Sequence, residues 1–312
     1  MKRLMARLPW LKNNQTDVCY ASLYIAIDKI VSVIITREDN TWQIVQSFVE
    51  PFQNEIDKLD AIRKIIKQIP YHYPLTIVLP NNMYQIVQVE KPNLSEDEIR
   101  TSLPWTIKEL VGFDATDIIA DFYDSTIPQG TDKINVVAST RALLMPILNI
   151  VHECEANLVS IQPEDMTLVD MITHDNAAHM VVTQQLGTEP SLHIIREGEL
   201  LLSRRLRGLM SLAEQPLLQL RNGLLDNFGL ELQRSLDYFE SQMKQPPIKS
   251  LQLAIPNLEL SGIIDELRQF FPAKVSAFLP EQTICQQQSM EMQFALSAAL
   301  SLSEGGVDEN TR

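Results

Sequence analysis

Residues 20–50 read YASLYIAIDKIVSVIITREDNTWQIVQSFVE. Within that stretch YASLYIAI (20–27) and IVSVIIT (30–36) are rich in β-branched side chains and WQIVQSFVE (42–50) alternates in part, which predicts three strands in meander order. Downstream, residues 54–69 set Ile56, Leu59, Ile62, Ile65, Ile66 and Ile69 on one helical stripe that Pro70 terminates, and LTIVLP (75–80) reads as a short buried strand. From Met180 the same opening recurs in order, though not in residues, as MVVT, SLHIIREG and ELLLSRRLRG. Helices over 212–220 and 225–243, the strand SLQLAIP (250–256), a helix over 262–271, a strand near 275–278 and a last helix over about 289–300 follow. Strands alternating with helices, opened twice by a three-strand meander, imply mixed α/β sheets in a duplicated architecture.

Between the two halves lies a different text. MYQIVQVE (83–90) is a strand, Ser95 and Glu98 form a capping box, and Pro104 is expected to kink or restart the helix before Trp105. Residues 118–123 and 134–138 read as strands, and Arg141 to Glu155 as a helix interrupted at Pro146.

The chain has 312 residues, enough for two domains, and its 45% hydrophobic and 21% charged content is that of an ordinary globular protein. A formal charge of −14 opposes unspecific attachment to phosphate backbones, so nucleic acid is not an expected partner. Cys19, Cys154 and Cys285 lie far apart without metal or redox spacing, which points to a reducing, cytoplasmic compartment. No apolar run reaches the length of a transmembrane helix. The first sixteen residues hold Lys2, Arg3, Arg7 and Lys12 and no acid, leaving −18 on the rest of a chain whose total is −14. Arg7 interrupts the apolar stretch that a signal peptide requires, so 1–17 reads as a basic flexible tail, and 303–312 as a disordered one.

Glycine excludes most nucleotide chemistry. The chain has 10, and the first, Gly112, comes after a third of the sequence, so neither a Walker A loop nor a GxGxxG exists where nucleotide folds keep their first phosphate loop. The histidines carry no metal spacing: His174 and His179, five apart across DNAA, read as ordinary surface residues. No GxSxG is present for serine hydrolysis.

The duplicated plan is that of the actin-like ATPase superfamily, and the local text resembles one branch of it. LPNNMYQIVQVEKP (79–92), EDEIRTSLPWTIKELV (96–111), VVASTRALLMPILNIVHECEANLVSIQPEDMTLVD (136–170), IIREGELLLSRRLRGL (194–209), LELQRSLDYFESQMKQPPIKSLQLA (230–254) and FALSAAL (294–300) are similar to PilM-like type IV pilus assembly proteins. The resemblance is closest to the MshI proteins of mannose-sensitive haemagglutinin (MSHA) pilus biogenesis. It spans roughly residues 20–302, and it extends to cytoplasmic domains of type II secretion inner-membrane proteins. It implies an actin-like ATPase fold of the FtsA/PilM kind: a first lobe from 18–80 and 159–177, an inserted subdomain over 81–158, and a second lobe over 178–302. It also implies a non-catalytic cytoplasmic scaffold, peripheral at the inner membrane. Such a scaffold holds the cytoplasmic tail of a PilN-like membrane protein in a cleft between the first lobe and its insert, couples it to motor ATPases, and leaves room for a homodimer. The alternatives are an active ATPase binding ATP with magnesium, or the cytoplasmic adaptor of a type II secretion system.

Nucleotide-binding members of that superfamily open with a glycine-containing phosphate loop, whereas the text here is SLYIAIDKIVSV. Asp28 is either a remnant magnesium carboxylate or a turn aspartate. In the second lobe TQQLGTEP carries Gln184 and Gln185 in place of an acid, so no cofactor is expected. Trp105 is either core or an anchor for a peptide partner. Arg204, Arg205 and Arg207 alternate with apolar residues, serving either ion pairs with the protein's own carboxylates or contact with an acidic partner segment. In the tail, Leu8-Pro9-Trp10 resembles the Leu-Pro-Trp element of PilN-like tails. Together with Lys2, Arg3, Arg7 and Lys12 it is either an internal mimic of that ligand or a lipid-seeking basic segment.

Overall fold

The structure, a computed structural model, describes residues 18–124 and 132–305. In chain order it forms β1 (Tyr20–Ile25), β2 (Lys29–Glu38), β3 (Thr41–Pro51), α1 (Glu55–Ile66), β4 (Leu75–Leu79), β5 (Gln85–Glu90), α2 (Glu96–Val111), β6 (Ile118–Asp124), β7 (Lys133–Thr140), α3 (Arg141–Glu153), β8 (Leu158–Pro163) and α4 (Glu164–Val169). It continues through β9 (His179–Thr183), β10 (Ser191–Arg196), β11 (Glu199–Arg205), α5 (Leu217–Leu220), α6 (Leu224–Asp237), β12 (Ser250–Ala254), α7 (Leu260–Leu267), β13 (Lys274–Ala277) and α8 (Met290–Gly305).

Two five-stranded sheets repeat one plan, ordered β3-β2-β1-β4-β8 and β11-β10-β9-β12-β13. In each, the first three strands are antiparallel and the last two join in parallel. The hairpins correspond in detail. Asp39-Asn40 between β2 and β3, and Glu197-Gly198 between β10 and β11, all take positive φ. Such two-residue turns match the right-handed twist of the strands they join, and Asn, Asp and Gly enter that backbone region most readily.

The third sheet, β5-β7-β6, is antiparallel and is covered by α2. Ile99, Leu103, Ile107 and Val111 bury one stripe of that helix against Ile118, Ile134, Val136 and Ala138. The helix runs through Pro104 without restarting, and α3 runs unbroken through Pro146, where an interruption was expected. Burying four branched aliphatic side chains at about 1.5–3 kcal/mol each outweighs the ~3 kcal/mol cost of an internal proline, and the stripe stays aligned only if the helix continues.

Packing redraws three expected boundaries. α3 sets Leu144, Ile147, Ile150 and Val151 into the core that holds α1 and β1, so the insert is narrower than 81–158 and α3 belongs to the first lobe. α8 follows the second lobe in sequence, yet Ala295, Ala298 and Ala299 share a core with Tyr24, Val31, Val33 and Val78 of the first. Its small side chains let the helix lie close on that sheet. α8 also extends to Gly305, past the start of the tail expected at 303. In the second lobe the 212–220 helix is divided at Pro216, and α6 ends at Asp237 in a π turn over Tyr238–Gln242. No helix among the described residues is long and apolar enough to cross a membrane.

Candidate functional site

Two clefts open against the second lobe. The first, of about 360 Å³, lies among the β1–β2 turn, the loop after β9, the carboxyl ends of β12 and β13, and the start of α8. A carboxyl-end crevice is the usual ligand position in α/β sheets. The turn that enters it, Ile27-Asp28-Lys29, is closed by Ala26 N–H donating to the Lys29 carbonyl at 2.9 Å and contains no glycine. Asp28 keeps 69% of its side-chain exposure and lies 3.9 Å from Lys29 Nζ, at the turn position expected for it. Lys29 itself is held by Glu291 at 2.8 Å. Burial lowers the ammonium pKa, and the Glu291 hydrogen bond and charge more than offset this, so the net shift is upward. Glu291 moves down, burial being outweighed by Lys29 and local hydrogen bonds. No cluster of three metal-ligating side chains occurs among the described residues.

Behind this cleft the lobes are fastened by side chains. Gln185 of the second lobe accepts from Ile27 N–H at 3.4 Å and donates to Tyr24 Oη of the first. Tyr24 Oη in turn donates to Glu164 Oε2 at 2.6 Å. Glu164 is buried, and desolvation pushes its carboxyl up to about 8, a rise that the neighbouring Asp165 reinforces and that Tyr24, Asn81 N–H and Arg205 moderate. Tyr24 is held well above its usual range, chiefly by burial and then by Glu164. Asp165 accepts from Ser203 Oγ of the second lobe at 3.0 Å. Its Oδ1 lies 3.4 Å from His193 Nδ1, too poorly aligned to bond, and both atoms are buried without a partner. Burial lowers the His193 pKa, and Asp165 opposes that only in part. Asn81 Nδ2 donates to Ser191 Oγ at 3.0 Å, a further tie between the lobes. None of Tyr24, Glu164, Asp165 or His193 was singled out from sequence. Their only signal is a charged pair directly after Pro163, between a strand and a helix.

The second cleft, of about 490 Å³, separates the insert from the second lobe, with Gln85 and Ile86 of β5 on one side, Ser203 to Arg205 of β11 on the other, and Asn81 to Tyr84 as floor. A further cavity continues it between Ile86–Gln88 and Leu200–Ser203. Among the described residues β5 pairs only with β7 and β11 only with β10, so each strand lining the groove has one edge without a strand partner there.

The three arginines divide here. Arg204 turns inward to Glu231 at 2.5 Å and to Ser235 Oγ at 3.3 Å, an internal ion pair. Arg205 and Arg207 are exposed, line the groove, and form no ion pair among the described residues. Trp105 is not core. It stays 64% exposed on the face of α2 opposite Ile99, Leu103 and Ile107, stacked under Lys108, and lines neither cleft. Helical period explains this, since position 105 falls halfway between the buried turns. His179 is not a surface residue either; it is buried at the start of β9 between Ser250 Oγ at 2.8 Å and Asp175 at 2.9 Å. Lys2, Arg3, Arg7, Leu8, Pro9, Trp10 and Lys12 lie outside the described residues.

No protein-family model matches the sequence, and no curated protein matches it. Solved structures do. A PilM-PilN type IV pilus biogenesis complex superimposes with a TM-score of 0.67 at 15% identity, covering 90% of this chain and 98% of that one. The cytoplasmic domain of EpsL, an inner-membrane component of the type II secretion system of Vibrio cholerae, gives 0.52 at 12% identity, covering 91% and 95%. With the repeated sheet order and the inserted subdomain, these likenesses show that the chain has the actin-like fold.

Proposed function

We propose that this protein is a non-catalytic scaffold of type IV pilus assembly, of the MSHA type, that holds the cytoplasmic tail of a PilN-like inner-membrane protein and links it to motor ATPases. The observation that carries the reading is the groove between β5 and β11, where two strands with unpaired edges and two uncommitted arginines border a channel. An extended peptide can add main-chain hydrogen bonds along such an edge while side-chain pockets supply specificity. Arg205 and Arg207 favour a segment with acidic residues. Binding is preferred to phosphoryl transfer because the β1–β2 turn offers no glycine and Gln185 already occupies the Ile27 amide. The chain would then sit at the cytoplasmic face of the inner membrane, attached through its partner and its basic first seventeen residues.

The test is calorimetry with a synthetic PilN-like cytoplasmic tail from the same genome. The expected result is micromolar or tighter binding that the double variant Arg205→Glu, Arg207→Glu abolishes; binding indifferent to both would refute the groove. Capture of a secretion-system tail in place of the pilus tail would favour the type II secretion reading, which the EpsL likeness supports.

A further inference from the structure

The cleft between the lobes has no part in that scaffold reading, yet it is a formed cavity with a consistent chemistry. Its walls are apolar: Leu186, Leu253, Ile255, Leu260, Phe278 and Met290. Among the described residues Lys29 is its only cationic lining residue, and Glu291 neutralises it at 2.8 Å. Asp28 stands at the mouth with an exposed carboxylate whose nearest cation, Lys29 Nζ, is 3.9 Å away and already committed. At the inner wall the buried amides of Gln184 and Gln293 both donate their NH2 groups to backbone carbonyls, Gln184 to Thr188 and Met210 at 2.8 Å, Gln293 to Gln288 at 3.1 Å. Their oxygens are left without a donor. A phosphate site presents N–H groups and uncommitted positive charge. This cleft presents the reverse, one unbalanced negative charge at its mouth beside apolar walls, with the amide NH2 groups behind it already committed.

We propose that the inter-lobe cleft is a binding site for a small apolar molecule carrying a protonated amino or amidino group, and not for a nucleotide. A volume of about 360 Å³ is within the range of pockets that enclose a small ligand. The apolar body of the ligand fills the space among Leu253, Ile255 and Phe278, and its cationic head meets Asp28. Such a ligand touches both lobes at once, and its binding would favour their present arrangement by mass action.

Three planar probes of one shape and different charge decide it: 9-aminoacridine as cation, acridine as neutral body, and anthracene-9-carboxylate as anion. Binding to the full chain is followed by fluorescence at pH 7.5, with ATP and magnesium as a fourth titrant. The expected affinity order is cation, neutral, anion, with no saturable ATP binding. Asp28→Lys, at an exposed position, should weaken the cation about tenfold and favour the anion by a similar factor. Ala277→Trp, at an exposed wall position, should abolish binding of all three while circular dichroism stays unchanged. Equal affinity for cation and anion, an unchanged order in Asp28→Lys, or binding that survives Ala277→Trp would each overturn the proposal. Binding that appears only after residues 1–17 are deleted would also overturn it, in favour of the chain's own basic segment as occupant.

Discussion

Replacing Glu164 by glutamine should stabilise the protein, and by an amount that grows with pH. The side chain is buried beneath the lobe boundary with its carboxyl raised from an ordinary value near 4.5 to about 8, so the folded state retains a proton that the unfolded chain has released. Between those two values the unfolded state binds fewer protons, and stability therefore falls as pH rises, by up to about 1.4 kcal/mol per pH unit. Glutamine is an isosteric mimic of the protonated form: its amide oxygen still accepts from Tyr24 Oη, and it has no proton to lose. Integrating the linkage gives an advantage of about 1 kcal/mol at pH 5 and roughly 4 kcal/mol at pH 8, as an upper limit. The assay is urea denaturation of wild type and Glu164→Gln at half-unit steps from pH 5 to pH 9. A difference that is flat across the range, or a variant less stable than wild type at pH 8, would refute the reasoning and make Glu164 an ionised hydrogen-bond acceptor in the native state.

Calorimetry with ATP and magnesium should show no saturable heat; micromolar binding lost in Asp28→Ala would restore the ATPase reading. Arg204→Ala should cost about 1–2 kcal/mol in chemical denaturation, because Glu231 is left partly buried with only Arg234 beside it, whereas Arg207→Ala should change stability by less than about 0.5 kcal/mol. Trp105→Ala should likewise stay within about 1 kcal/mol of wild type, since a large exposed side chain leaves no cavity; a loss of 3 kcal/mol or more would contradict its placement. Deleting residues 1–14 should abolish binding to anionic liposomes while leaving affinity for the partner peptide unchanged; stronger peptide affinity after deletion would instead identify the segment as an internal competitor.

Local sequence by itself determined the elements and their repetition. Ile62, Ile65 and Ile66 had to share a helix face, β-branched runs had to be strands, and the second meander after Met180 was readable without a single matching residue, because strand and helix periods depend on side-chain type alone. The glycine count and the glutamines at 184 and 185 carry the expectation that no conventional phosphate site is present, since backbone approach to phosphate depends on local composition. Tertiary structure decided which faces meet. That α3 joins the first lobe and α8 crosses back to it follows from long-range burial, which periodicity cannot assign to a partner. Trp105 stands in solvent and Arg204 turns inward because of the phase of one helix and the position of Glu231. The chemistry at the lobe boundary was the least legible. Tyr24, Glu164 and His193 are separated by up to 169 positions in sequence, each unremarkable where it stands, and their altered proton affinities arise only when folding removes them from water together.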